Sequence, residues 1–134
     1  MASGVEGGVK AGLRLEGLVL AAVAVVLYGR MGAGWGQYFA LWLIPDLSLA
    51  AYLVGPRAGA AAYNAMHSEV GPLLLGLAAV VGLVPAGALP LALIWASHVG
   101  IDRALGYGLK YQQGFGYTHL GAIGMVRRLA AKSA

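Results

Sequence analysis

Residues Leu13–Gly29 read LRLEGLVLAAVAVVLYG, with no charge after Glu16, and this run decides the fold class. A helix that crosses a bilayer needs about 20 mostly apolar residues. Three further apolar runs follow, at about 37–54, 58–84 and 89–105. The composition agrees: 60% of the 134 residues are hydrophobic and 10% are charged. A soluble domain carries about 25% charged residues, enough to cover a surface that faces water. The expected fold is therefore all-α, a polytopic membrane helix bundle of about four transmembrane helices. It forms a single integral membrane domain over 1–134, with spans at about 13–29, 37–54, 58–84 and 89–105. Residues 106–134 are read as a cytoplasmic interfacial tail ending in a short surface helix.

Inside the second run, Pro45-Asp46 puts a kink and an acid at the same place. The third run is polar in its first half, with Tyr63, Asn64, His67, Ser68 and Glu69, and fully apolar from Leu73 to Val84. The fourth ends in Ser97, His98, Asp102 and Arg103. The tail is rich in Gly and Tyr before His119.

The absence of cysteine excludes disulfides, thiolate metal sites and Cys nucleophiles. The net charge of +4 fits basic flanks on a membrane protein. No basic patch interleaved with exposed aromatics argues for nucleic acid. With four spans, Lys10, Arg14, Arg57, Arg103, Lys110, Arg127, Arg128 and Lys132 share one face, and Arg30 alone lies on the other. Eight against one places both termini in the cytoplasm of a multi-pass protein of the inner (plasma) membrane.

At 1.5 Å per helical residue, the ionisable groups fall at one depth. From the cytoplasmic side, Asp46 lies about 12 Å in, His67 about 13 Å, His98 about 10 Å and Asp102 about 5 Å. His98 and Asp102 are four apart and share a helix face. Each buried charge costs about 2.5–3.5 kcal/mol at a helix centre, so such groups face inward and pair. Asp46, His67, His98 and Asp102 are the expected metal ligands, suited to zinc or a similar divalent ion. Glu69 and His119 are the candidate catalytic bases. The same residues also fit a structural hydrogen-bond and salt-bridge network, for example Asp102 with Arg103 or Arg57. A haem site or proton relay is a third possibility.

Several motifs together resemble the domain-of-unknown-function family 4260. They are Pro45-Asp46-Leu47-Ser48, Tyr63-Asn64-Ala65-Met66-His67, His98-Val99-Gly100-Ile101-Asp102-Arg103, Gly106-Tyr107-Gly108-Leu109-Lys110-Tyr111 and Thr118-His119-Leu120-Gly121. The resemblance implies a small integral membrane protein and names no activity. The order Asp46, His67-Ser68, Ser97-His98 and Asp102 is also similar to the LexA-binding, inner-membrane-associated, metal-dependent hydrolases. That similarity implies a metal-dependent hydrolase of a lipid or amphipathic phosphoester, with membrane lipid as its partner. The alternative is a non-enzymatic accessory subunit or a lipid or small-molecule binder. A transporter or channel would require a homo-oligomer lining a shared pore.

Overall fold

The computed structural model of the chain describes residues 4–133, which are mostly helical. The elements in order are α1 (Gly7–Arg30), α2 (Trp35–Leu41), a 3-10 helix (Ile44–Leu53), α3 (Pro56–His67), α4 (Val70–Val80), α5 (Ala88–Leu105) and α6 (Gly124–Lys132). A two-residue strand pair, β1 (Tyr117–Thr118) and β2 (Gly121–Ala122), lies antiparallel in the tail before α6.

Prolines set most of these boundaries. Pro56 and Pro45 stand at the very start of their helices, and Pro72 and Pro90 lie in the first turns of α4 and α5. Proline has no N–H to donate and its ring clashes with the carbonyl four residues back, so a helix tolerates it in its first turn. The run read as one segment over 58–84 is therefore divided. A helix continued from α3 would drive the Pro72 ring into the Ser68 carbonyl. Ser68 is instead extended, at φ −85° and ψ 143°, and α4 restarts at Val70. The run at 37–54 is likewise two pieces, because the chain tightens into the 3-10 helix at Pro45. There the Ser48 hydroxyl donates to the Pro45 carbonyl at 2.7 Å. Of the described helices, α1 alone is long and apolar enough by itself to cross a membrane.

Helix α5 is the centre of the molecule. It runs antiparallel to α1: the Arg14 side chain donates to the Ala104 carbonyl at one end, at 2.7 Å, and Tyr28 packs with Ile94 at the other. Their crossing uses small residues. A methyl group added to Gly100 would lie 2.5 Å from the Gly17 carbonyl oxygen and 2.7 Å from the Ala21 nitrogen. Close backbone approach through Gly and Ala is how helices associate when apolar burial supplies little drive. Large side chains point outward, among them Leu18, Val23, Leu47, Leu74, Val80 and Leu53, which is 91% exposed. The buried apolar set is dominated by Ala21, Ala24, Ala60, Ala79, Ala92 and Ala96.

Helix α2 is tied to α5 through Tyr38. The Ser97 hydroxyl donates to the Ile94 carbonyl at 2.7 Å, so the Tyr38 hydroxyl donates to Ser97 at 2.8 Å. Gly106, at φ +98°, ends α5 in the left-handed conformation. The Tyr107 N–H then returns to the Asp102 carbonyl at 2.9 Å. From there the tail folds back onto α3. The Asn64 amide donates to the Lys110 carbonyl at 2.8 Å, and its oxygen accepts the Lys110 N–H at 2.6 Å. Asn64→Ala removes both bonds and leaves two backbone groups unpaired, so it is expected to cost about 2 kcal/mol. Thermal unfolding would measure that loss, and hydrogen exchange would locate it at Lys110.

Candidate metal centre

Three elements bring the four expected ligands together. His67 is the last residue of α3, Asp46 lies in the first turn of the 3-10 helix, and His98 and Asp102 stand one turn apart on α5. One ligand atom from each lies within 4.8 Å of all the others. His67 Nε2 is 3.2 Å from Asp46 Oδ1, 3.5 Å from Asp102 Oδ2 and 3.2 Å from His98 Nε2. His98 Nε2 is 3.4 Å from Asp46 Oδ1 and 3.6 Å from Asp102 Oδ2. A tetrahedral ion with bonds of about 2.0–2.2 Å has ligand–ligand edges of about 3.3–3.6 Å. Five of the six edges here fall at or within about 0.1 Å of that range.

Protonation also points to a cation. His67 Nδ1 lies 3.0 Å from the Tyr63 carbonyl, which can only accept, so Nδ1 carries the proton. The Nε2 lone pair then faces two carboxylates and a second imidazole. A cation among them satisfies that lone pair, as does a proton carried on His98 Nε2, 3.2 Å away. A divalent ion with two aspartates and two neutral histidines has no net charge, which suits a buried site. The Tyr63 carbonyl is also the outer partner that orients a ligating histidine. The break after α3 helps hold this end of the helix. Its freed carbonyls are taken by α5, with Trp95 Nε1 donating to Met66 at 2.6 Å and Arg103 Nη2 to His67 at 3.2 Å.

Both imidazoles are clamped by rings. Tyr63 stacks on His67 with centroids 3.7 Å apart and planes 4° from parallel, and Trp42 covers His98 at 4.6 Å. The histidine side chains are almost fully buried, whereas Asp46 is 38% exposed and Asp102 18%. The open side of the cluster is thus the carboxylate side. Among the described residues, no Lys or Arg lies within 4.0 Å of a carboxylate. The Asp102–Arg103 and Asp102–Arg57 pairs expected of a structural network do not form.

Glu69 and His119 stand elsewhere. Both line a cavity of about 250 Å³ with Glu16, Ser68 and Arg103. Burial and the nearby Arg103 charge hold the His119 imidazole below its ordinary pKa. The neutral ring accepts the Leu109 N–H on Nδ1 at 2.9 Å.

Trp42, Tyr63 and Lys110 join the cluster's surroundings without having been expected there, and Arg103 stands beside it without pairing with Asp102. Lys110 is buried, with Nζ 4.0 Å from the Phe115 ring centre and 4.7 Å from that of Tyr63, and among the described residues Nζ has no hydrogen-bond partner. Burial lowers its pKa to about 8, against the pull of Asp102. Between pH 8 and 10.5 the unfolded chain holds this proton and the native chain does not, so stability rises with pH there. Below pH 8 both states are protonated and the cost of burying the charge is present in full. Lys110→Met is expected to flatten the rise of Tm across that window, as measured by melting at a series of pH values.

The fold and site together define a helical protein with a buried cluster of two histidines and two aspartates. The chain belongs to the family described as Domain of unknown function (DUF4260), whose model matches residues 10–123. That match takes in all four clustered residues and the cavity around Arg103. No curated protein and no solved structure matches the chain.

Proposed function

We propose that this chain is a four-span protein of the inner membrane that holds zinc on its cytoplasmic side and hydrolyses a lipid or amphipathic phosphoester. The tetrahedral spacing of Asp46, His67, His98 and Asp102 carries the reading. Two neutral imidazoles and two carboxylates are a donor set that zinc accepts. Such an ion polarises a phosphoryl oxygen and lowers the pKa of water. Asp46, the most exposed of the four, would be the ligand on the open side, where its carboxylate would yield a position to water or substrate. Substrate approaches over the Asp46 carboxylate and exposes its phosphoryl group there. Glu69 and His119, first candidates for the base, line the cavity on which Arg103 opens, and are better suited to binding a polar group.

Membrane insertion is supported by the outward-facing Leu, Val and Phe side chains, which would form aggregation-prone patches in water. Length supports it too. Seven α-helical residues and ten in 3-10 conformation rise about 30 Å, the thickness of the hydrocarbon core. The division of basic residues, eight to one, favours cytoplasmic termini. Because the chain lacks cysteine, Gly36→Cys and Ser133→Cys report the two faces separately. An impermeant thiol reagent added to intact cells should label the first and spare the second.

A second reading has one observation in its favour. Four protein ligands already complete a tetrahedron, as in structural zinc sites, whereas catalytic sites keep a position open. The discriminating assay is phosphate release from short-chain phosphatidic acid in micelles. Turnover that needs zinc and is lost in Asp46→Asn supports the hydrolase. A zinc-stabilised protein with no turnover on such phosphoesters supports the structural role.

A further inference from the structure

Arg103 is only 8% exposed, and its two terminal nitrogens fare differently. Nη2 donates to the His67 carbonyl at 3.2 Å, while Nη1 is buried without a partner among the described residues. A buried guanidinium nitrogen with no acceptor is costly. Arg103 lines the 250 Å³ cavity that Glu16 and Glu69 also line, yet neither carboxylate approaches it within 4.0 Å. Ser68 and His119 complete the polar wall, and Leu13 and Val70 add apolar surface. Since His119 accepts on Nδ1, its neutral ring offers an Nε2–H donor.

We propose that this cavity binds a small zwitterion bearing a phosphate and an ammonium, such as the phosphoethanolamine group. An anion alone would pair with the Arg103 guanidinium and His119 but would meet two glutamates. A cation alone would satisfy the glutamates but would meet a guanidinium. A zwitterion answers both, with its phosphate on Arg103 and His119 and its ammonium between Glu16 and Glu69. Bidentate or charge-assisted bonding of phosphate is what an arginine fork provides. At about 30 Å³ per water-sized group the volume takes roughly eight such groups, the number of non-hydrogen atoms in phosphoethanolamine. The source is a leaflet lipid headgroup or the free molecule. The site is independent of the metal centre's chemistry.

Calorimetric titration of the detergent-solubilised protein with phosphoethanolamine, inorganic phosphate and ethanolamine tests the proposal. The zwitterion is expected to bind at least about 10-fold more tightly than either half. The E16Q/E69Q double variant is expected to bind phosphoethanolamine and phosphate alike. Equal binding of the three by the wild type, binding of none, or selectivity that persists in the double variant overturns it. The wild-type comparison decides the matter if the double variant does not fold. Native mass spectrometry from nanodiscs of phosphatidylethanolamine and phosphatidylglycerol separates the sources. Retained phosphatidylethanolamine identifies the lipid, and binding of the free molecule without it identifies a soluble ligand; either satisfies the proposal.

Discussion

Replacing His67 with alanine is expected to weaken zinc binding by about 100-fold or more and to remove most of the thermal stabilisation that zinc confers. Structural zinc sites contribute about 10–16 kcal/mol over four ligands, so one ligand is worth about 3 kcal/mol. His67 has the largest share of the geometry. Its Nε2 lies within 3.5 Å of a ligand atom on each of the other three residues, and its tautomer is fixed by the Tyr63 carbonyl. In the wild type, zinc at a thousand times its dissociation constant adds about 4 kcal/mol to stability. At the same zinc concentration His67→Ala should keep only about 1 kcal/mol of that stabilisation, and a correspondingly small shift in melting temperature. His119→Ala should keep the zinc response, because that ring lines the cavity beside Arg103. A large zinc-induced shift that survives in His67→Ala would remove this residue from the centre.

Gly100→Leu is expected to prevent stable folding. The added Cβ would stand 2.5 Å from the Gly17 carbonyl oxygen and 2.7 Å from the Ala21 nitrogen. Both are backbone atoms, so no rotamer change makes room. Helix α1 must move off α5 along their crossing. Overpacking a tight interior costs about 1–3 kcal/mol, and more where backbone must shift. Because α5 also carries His98 and Asp102, zinc retention should fall with the fold. Gly12→Ala is the control, since a Cβ there meets nothing within 4 Å. It should be neutral or stabilise by up to about 1 kcal/mol, because alanine is the better helix former. Thermal melts in detergent would distinguish the two variants.

Much of the four-residue cluster was legible in the residues. Asp46, His67, His98 and Asp102 were placed together by counting rise per residue along segments of alternating direction. The structure brings these four together, from the 3-10 helix, the end of α3 and one face of α5. The interruptions were less visible. Pro72 does mark a helix start, but the apolar run around it masks the signal, and the break at Ser68 went unread. The 3-10 winding over Ile44–Leu53 has no comparably local cause. Lys110 and His119 depend on the tail folding back through Asn64, a contact 46 residues apart in the chain, which spacing along one helix cannot anticipate. Glu69, two positions from His67, projects from another face, and beyond the helix break it lines Arg103's cavity. The four spans belong to the proposal, because α1 is the one described helix both long and apolar enough to cross a membrane by itself.

Elemental analysis of the protein purified without chelator tests the central claim most directly. The account predicts about one equivalent of a divalent metal per chain, reduced to background in Asp102→Asn. Wild-type protein that carries no stoichiometric metal, takes up none from added zinc and melts unchanged in chelator would contradict it.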